Sequence, residues 1–141
     1  LMLMNRMSIL DDDDTATTAV MNWRRQLIHW CVHRQLGGMQ GRPNKAEDTC
    51  YSYWIGGTLT LLRHQELLDR ESLRKYVMRC QTKMGGFGKV VGALPDVLHS
   101  FYSMAWLSLS QTAAAENDSE TSTFIDPPLQ QLNCTLGLCQ E

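Results

Sequence analysis

The chain has 141 residues, 43% of them hydrophobic and 20% charged, a composition that predicts one soluble globular domain with its own core. Its formal net charge of −2 gives no overall attraction to nucleic acid or to an anionic membrane, and no apolar run approaches the roughly 18 residues of a membrane span. Five irregularly spaced cysteines and the lack of a cleavable signal pattern predict free or metal-bound thiols in a cytoplasmic protein.

The predicted elements are helices, so the predicted fold class is all-α. The opening residues 1–10 have the pattern of the end of a helix that lacks a start signal, which predicts a chain cut from a longer protein. An acidic run at 11–14 and a glycine pair at 37–38 enclose a first helix. Its apolar residues recur at helical spacing: Val20, Trp23, Leu27, Trp30 and Cys31.

Three more helices follow, and each has an apolar face at helical spacing. Asp48 is a good N-cap for the second helix, whose predicted face contains Tyr51, Trp54, Ile55, Thr58 and Leu62. The third helix has the face Leu73, Tyr76, Val77 and Cys80. The fourth begins after Pro95 and Asp96, with a predicted buried face of Leu98, Phe101, Tyr102, Ala105 and Leu109. We place this helical domain at 1–112, a flexible linker at 113–123 and a mildly apolar tail, without expected chemistry, at 124–141.

A repeat becomes visible when the sequence is compared with itself. The first copy of the repeat contains Gly37, Gly38, Asp48, Ser52, Tyr53 and Trp54. The matching positions of the second copy are Gly85, Gly86, Asp96, Ser100, Phe101 and Tyr102. The repeated unit is therefore a helix hairpin entered through a long loop. Such units stack into a solenoid or close into a toroid, and their long loops gather on one rim, where function is expected.

Metal-ligating side chains stand at two equivalent helix starts. Asp48 and Cys50 begin the second helix, where the helix dipole should lower the pKa of the thiol, and His99 begins the fourth. A carboxylate, a thiolate and an imidazole suit zinc, and three protein ligands leave one position for a substrate. The spacing alone leaves a plain alternative open, in which the cysteine is a small core residue and the histidine a cap.

Cations and aromatic residues surround the same helix start. Arg42 and Lys45 precede the second helix, and with the Tyr51 hydroxyl they could hold the oxygens of a phosphate or diphosphate. Solvated loop charge is the alternative for both cations. Trp54, with Tyr53 and Tyr102, could line an apolar cavity or simply belong to the core.

The stretches "GRPNK", "DTCYSYW", "GGFGK" and "PDVLH" resemble the β subunits of protein prenyltransferases, most of all those of geranylgeranyltransferase type I, over residues 18–109. The farnesyl enzyme usually has GRCNK and DGCYSFW, and the Rab enzyme GRPEK and DVCYSWW, so Asn44 and Thr49 favour type I. Lys89 does so too, because the farnesyl enzyme has a magnesium-binding aspartate there. The "VVGAL" stretch at 90–94 departs from the family, which has a more polar, proline-containing stretch there.

The resemblance implies roles for single residues. Asp48, Cys50 and His99 would bind one catalytic zinc ion, and magnesium would not be required. Arg42, Lys45, Tyr51 and Lys89 would bind the isoprenoid diphosphate. Trp54 would line the lipid cavity, and Leu98 would contact the last residue of the acceptor peptide.

The resemblance also implies the reaction and the assembly. A geranylgeranyl group would pass from its diphosphate to the cysteine thiol of a C-terminal CaaX motif, in proteins such as small GTPases. The fold would be part of an α6/α6 barrel, an incomplete α/α toroid, paired with a prenyltransferase α subunit. The isolated piece is expected to be inactive and prone to aggregate. The alternatives are a farnesyltransferase-like β subunit and a non-catalytic helical-repeat interaction module with a structural zinc or no metal.

Overall fold

The structure is a computed structural model that describes residues 17–115, 132–133 and 138–139, with the side chains of residues 21–111. Four helices follow one another: α1 (Thr17–Val32), α2 (Thr49–Leu61), α3 (Arg70–Arg79) and α4 (Val97–Ala115). A short 3-10 helix, Gln65–Leu67, joins α2 to α3. The all-α class and the four predicted helices are confirmed, whereas the predicted opening helix at 1–10 lies outside the described residues.

Helices α2 and α4 form the centre of the described fold. Gly56 of α2 faces the ring of Trp106 of α4 so closely that a Cβ atom at position 56 would stand 2.2 Å from the Trp106 Cζ3 atom. Trp106 is only 1% exposed, and Leu59 and Leu107 are buried beside it. Burial of such large apolar side chains is the main favourable term in folding, so this contact fixes the position of α4 against α2.

The predicted buried faces are right for α3 and partly wrong for the others. All four predicted residues of the α3 face are buried, as are Ala105 and Leu109 of α4. Leu98 and Phe101 are exposed instead, although they share a helix face with Ala105 and Leu109, so the described residues cover this face only in the later turns of α4. Hydrophobic periodicity identifies an apolar face but not how much of its length a neighbour will cover.

Helices α1 and α2 show the same kind of difference. Trp30 and Trp54, both predicted on buried faces, are 41% and 40% exposed. By contrast, the polar residue Thr49 at the start of α2 is fully buried. Its hydroxyl donates to the Gly88 carbonyl oxygen at 3.0 Å. A hydrogen bond of this kind removes most of the cost of burying a hydroxyl, and periodicity cannot predict it.

The repeat appears in the structure at an offset of 48 residues, from Asp48 to Asp96. We call residues 39–48 the first loop and residues 87–96 the second loop. The Asp48 backbone N–H donates to the Met39 carbonyl at 3.0 Å, and the equivalent Asp96 N–H donates to the Phe87 carbonyl at 3.3 Å. Both loops therefore return to their own start before the next helix begins.

The two loops also share the turn at their tip. The same bond closes each turn: Lys45 N to the Arg42 carbonyl at 3.3 Å, and Ala93 N to the Val90 carbonyl at 3.0 Å. Asn44 and Gly92, at equivalent positions, have positive φ angles of 60° and 83°, a region that asparagine and glycine tolerate. The divergent "VVGAL" sequence of the second loop thus keeps the backbone turn of the first.

Two features lie outside the predicted pattern. Strands β1 (Leu132–Asn133) and β2 (Leu138–Cys139) pair antiparallel within the predicted tail, and β1 lies against α4. Helix α4 extends to Ala115, so its end falls within the segment predicted as a linker, the rest of which is outside the described residues. Within the described residues, no helix has both the length and the apolar character needed to cross a membrane.

Candidate metal and diphosphate site

Three predicted metal ligands meet at the starts of α2 and α4. The ligand atoms of Asp48, Cys50 and His99 all lie within 4.8 Å of one another, and the Asp48 Oδ1 atom is 3.4 Å from the His99 Nε2 atom. We call these three residues the ligand cluster. Asp48 is buried and caps α2, while Cys50 and His99 are half-buried. Two loops with the same fold thus bring residues that are 51 positions apart (99 − 48) to one point.

Helix α2 is attached directly to the second loop. The Thr49 backbone N–H donates to the Lys89 carbonyl at 3.0 Å, next to the hydroxyl bond from Thr49 to Gly88. Because Thr49 lies between two members of the cluster, these bonds limit how far the two repeats can separate. The cluster is therefore held by backbone contacts as well as by side-chain packing.

Asp96 orients the imidazole of His99. Its Oδ2 atom lies 2.6 Å from the His99 Nδ1 atom, and its Oδ1 atom accepts from the His99 backbone N–H at 2.9 Å. The bonds from His99 lower the pKa of the Asp96 carboxyl, which remains a carboxylate at neutral pH. A proton on Nδ1 leaves the Nε2 lone pair directed at the cluster, the arrangement found around metal-ligating histidines.

The sequence interpretation did not assign Asp96 to the site, although two signals were available. Asp96 is the repeat equivalent of Asp48, and it stands three residues before His99, a spacing that brings side chains together in a helix's first turn. Asp48 faces the cluster, whereas Asp96 supports the imidazole from behind.

Electrostatics around Cys50 oppose the prediction of a lowered thiol pKa. Burial, followed by the hydrogen bond to Asp48 and the negative charge of that carboxylate, raises the pKa of the Cys50 thiol to about 12. Lys89, whose Nζ lies 3.6 Å from the Asp48 Oδ2 atom, acts in the opposite direction but is weaker. The prediction from the helix dipole was wrong for the metal-free protein, because burial and a neighbouring anion outweigh the dipole. A bound metal reverses this balance, since a coordinating thiol is deprotonated.

Of the predicted diphosphate-binding residues, Arg42 and Lys45 lie in the first loop, Tyr51 lies at the start of α2, and Lys89 reaches Asp48 from the second loop. Arg42 is exposed and Lys45 half-buried at the loop's turn, and the Lys45 carbonyl accepts from the Gln40 side chain at 2.6 Å. The Tyr51 ring packs against Gly41, where a Cβ atom would stand 2.1 Å from the ring's Cζ atom. Any larger residue at position 41 would displace Tyr51, so this glycine determines where the Tyr51 hydroxyl lies.

An apolar cavity of about 330 Å³ lies beside this loop. Its lining residues are Leu27, Trp30, Cys31, Gly41, Tyr51, Tyr53, Trp54, Ile55, Gly57 and Thr58. The Trp54 ring contacts Tyr102 of α4, with ring centroids 4.8 Å apart. The exposed fraction of Trp54 is explained by this cavity, so the aromatic residue lines an apolar space and is not a core residue.

The remaining predicted residues fall into two groups. Leu98, predicted to contact a peptide, is exposed beside His99. Cys31 and Cys80 are free thiols buried in the core, and neither joins the ligand cluster. Among the described side chains, the cluster thus has three protein ligands, and Cys134 and Cys139 lie outside that part of the chain.

A family model described as the prenyltransferase alpha-alpha toroid domain matches residues 1–137. This chain belongs to the prenyltransferase α/α-toroid family. The match includes both loops, the ligand cluster and all four helices, so the helical hairpins described above are part of a toroid fold. The family assignment predicted from the residues is confirmed.

Relatives within this family include several kinds of prenyltransferase β subunit. The geranylgeranyl transferase type-1 subunit beta of Arabidopsis thaliana is 51% identical over 85 residues, covering 59% of this chain and 23% of that protein. The protein farnesyltransferase subunit beta of Pyricularia oryzae is 33% identical over 126 residues, covering 74% of this chain and 24% of that protein. This chain therefore spans about a quarter of the length of these relatives.

A solved structure of the same family has a similar fold. It is a Candida albicans protein geranylgeranyltransferase-I complexed with GGPP, with a TM-score of 0.69 and 26% sequence identity. The similarity covers 89% of this chain and 38% of that one. The chain is thus similar in both sequence and fold to prenyltransferase β subunits.

Proposed function

We propose that this chain is the part of a protein geranylgeranyltransferase type I β subunit that binds the catalytic zinc and the diphosphate. The ligand cluster is the observation that carries the proposal. A carboxylate, a thiol and an imidazole within 4.8 Å are a donor set that suits zinc, and three protein ligands are typical of catalytic zinc sites. When bound, zinc would supply a Lewis acid that keeps an acceptor cysteine thiol deprotonated at neutral pH.

The chain's own residues would perform the other tasks of the reaction. Asp96 holds the His99 ring with its Nε2 atom toward the cluster. Arg42, Lys45 and Lys89, with the Tyr51 hydroxyl, would stabilise the negative charge that grows on the departing diphosphate. Such charges lower the barrier most when they are fixed before the reaction, and the turn that holds Arg42 and Lys45 is closed by its own hydrogen bond.

The apolar cavity would hold the isoprenoid chain. Its lining combines aliphatic and aromatic side chains, including Trp54, and it begins beside the loop that bears the cations. A diphosphate at the first loop would therefore have its hydrocarbon chain in an apolar environment and its charged end near Tyr51. The exposed Leu98 beside His99 would contact the last residue of the acceptor's CaaX sequence.

Lys89 supports type I over a farnesyltransferase. The Lys89 ammonium, 3.6 Å from the Asp48 carboxylate, provides positive charge where the farnesyl enzyme has an aspartate for magnesium. We therefore propose that the reaction does not require magnesium. An interaction module with a structural zinc would need a fourth protein ligand, and none of the described residues supplies one. A metal-free interaction module stays as the alternative that zinc analysis tests.

Activity would belong to the assembled enzyme. Helix α4 has an exposed apolar surface formed by Val97, Leu98, Phe101 and Met104, of which Val97 is 87% exposed. We propose that further helices of the toroid and a prenyltransferase α subunit are needed for the transfer of geranylgeranyl groups to CaaX proteins, because such surfaces are unfavourable in water.

Metal content is the experiment that tests the proposal. The chain would be co-expressed with a prenyltransferase α subunit, and zinc would be measured by mass spectrometry in the parent, Cys50→Ala, His99→Ala and His64→Ala proteins. After dialysis against a chelator that removes weakly bound ions, we expect about one zinc per parent chain, its loss in the first two variants and its retention in His64→Ala, a histidine whose ring contacts Glu66. Folded parent protein without zinc would refute the catalytic site and favour the interaction module.

A transfer assay then distinguishes the isoprenoids. The zinc-loaded complex would be given geranylgeranyl or farnesyl diphosphate with CaaX peptides that end in leucine or methionine, with and without magnesium. We expect geranylgeranyl transfer to the peptide ending in leucine, without a magnesium requirement. Preferred farnesyl transfer, or transfer only with magnesium, would favour the farnesyltransferase-like alternative.

A further inference from the structure

Two histidines stand one turn apart at the exposed end of α1, His29 in its last turn and His33 just after its last residue. His29 and His33 are both exposed, and their ring centroids lie 4.0 Å apart with an interplanar angle of 31°. Residues four apart are neighbours on a helix surface, so the contact follows from the helix itself. Neither imidazole takes part in the function proposed above.

A hydrogen bond defines the free nitrogen of one ring. The His33 Nδ1 atom lies 2.8 Å from the His29 carbonyl oxygen, which can only accept, so Nδ1 carries the proton. The Nε2 atom of the neutral ring then has a free lone pair. An Nδ1–H bonded to a backbone carbonyl is the usual arrangement in metal-ligating histidines.

The separation of the rings also suits a shared ion. With Zn–N bonds of about 2.1 Å, two nitrogens on one ion are at most about 4 Å apart. The ring centroids of His29 and His33 are 4.0 Å apart, so the two side chains are close enough to reach one ion once their rings turn edge-on to it. Rotation of an exposed side chain to point its lone pair at the ion costs little, because such side chains already exchange between rotamers on a fast timescale.

We propose that His29 and His33 form a second metal site, which binds one divalent transition ion such as Zn²⁺, Ni²⁺ or Cu²⁺ through two imidazoles. Water would complete the coordination, since the surrounding cleft, of about 500 Å³, is otherwise lined by Arg25, Gln26, Trp30 and Arg34. Imidazole nitrogen suits these ions, and Cu²⁺ should bind most tightly of the three. This inference is independent of the prenyltransferase function.

Two arginines lower the affinity of this site without closing it. Arg34 contacts Trp30, since its Nε donates to the Trp30 carbonyl at 3.3 Å and its guanidinium lies 5.2 Å from the ring centroid. Arg25 is exposed, one turn before His29, and a like charge there repels a metal ion. Removal of the Arg25 charge should therefore strengthen metal binding, whereas it would weaken the binding of an anion.

Calorimetric titration with NiCl₂ tests the proposal. The chain would carry Cys50→Ser and His99→Ala, so that the ligand cluster does not compete for the ion. We expect one Ni²⁺ per chain, at least tenfold weaker binding in His29→Gln and in His33→Gln, and unchanged binding in the control His64→Gln. Arg25→Gln should bind Ni²⁺ a few times more tightly. Circular dichroism of every variant should show the same helix content.

A second measurement uses the unaltered cluster. Trp30 lines the histidine cleft, so Cu²⁺ added to the zinc-loaded chain should quench its fluorescence. We expect the quenching to fall in Trp30→Phe and in His33→Gln, but not in Trp23→Phe. Ni²⁺ binding that is absent from the parent, or equal in His29→Gln and the parent, would overturn the proposal, as would weaker binding in Arg25→Gln.

Discussion

The contact between Gly56 and Trp106 predicts opposite effects for two neighbouring glycines of α2. A Cβ atom at position 56 would stand 2.2 and 2.5 Å from two ring atoms of Trp106, far inside van der Waals contact. At position 57 the nearest atoms, in Leu109 and Tyr53, are 3.9 Å away, an ordinary contact. Gly57→Ala is therefore a matched control for Gly56→Ala, with the same chemistry and helix.

The expected magnitudes follow from these distances. Either substitution should gain about 0.5–1 kcal/mol, because alanine loses less backbone entropy in a helix than glycine. Gly56→Ala should also lose about 1–3 kcal/mol through overpacking, since the buried Trp106 ring cannot move without disturbing its neighbours. The free energy of unfolding should thus be lower for Gly56→Ala than for Gly57→Ala by about 1–3 kcal/mol.

Urea unfolding followed by tryptophan fluorescence measures this difference. The two variants should differ in transition midpoint with the same slope, which would show a change in stability without a change in the surface exposed on unfolding. Because α4 carries His99 and α2 carries Cys50, a displaced α4 should also reduce zinc retention against a chelator in Gly56→Ala only. Equal stability of the two variants would refute the claim that the contact between Gly56 and Trp106 fixes the two helices.

Three further predictions concern the site. Asp96→Asn keeps an oxygen for the cap of α4 but loses the carboxylate that orients His99. The zinc affinity, measured by competition with a chelator, should therefore fall about 10- to 100-fold. Unchanged affinity would contradict the orienting role. Thr49→Val should lower the free energy of unfolding by about 1–3 kcal/mol, because the Gly88 carbonyl loses its buried donor. An unchanged free energy in urea unfolding would show that this hydrogen bond is dispensable. In the metal-free chain, the pKa of the Cys50 thiol is raised to about 12, so this thiol is protonated at pH 7 to 9. Peptide mapping should therefore find Cys50 alkylated by iodoacetamide more slowly than glutathione at pH 8, with a rate that still increases toward pH 11. Alkylation at the glutathione rate would show that the helix dipole dominates.

The candidate site was predictable from the sequence because its residues are local signals repeated at a fixed offset. Asp48 and Cys50 stand at a helix start that the capping preference of aspartate identifies, and the match of Asp48 to Asp96 brings His99 to an equivalent position. Helix starts depend mostly on nearby residues, so they can be predicted without the tertiary structure. Similarity to a known family supplied the roles, which spacing alone left open.

The packing could not be predicted in the same way. Periodicity identified α4 as a helix, but only the packing shows that its predicted face is buried at Ala105 and Leu109 and exposed at Leu98 and Phe101. Hydrophobic patterns report the apolar character of a face, and the neighbour that covers it is distant in sequence.

The sequence by itself determined the helices, the repeat and the donor residues at the two helix starts, because capping and periodicity act over a few residues. Only the tertiary structure decided the pKa direction of Cys50, the support of His99 by Asp96 and the exposure of Trp54 to a cavity. These properties depend on which groups from other segments lie within a few ångströms, because burial and charge act through space and not along the chain.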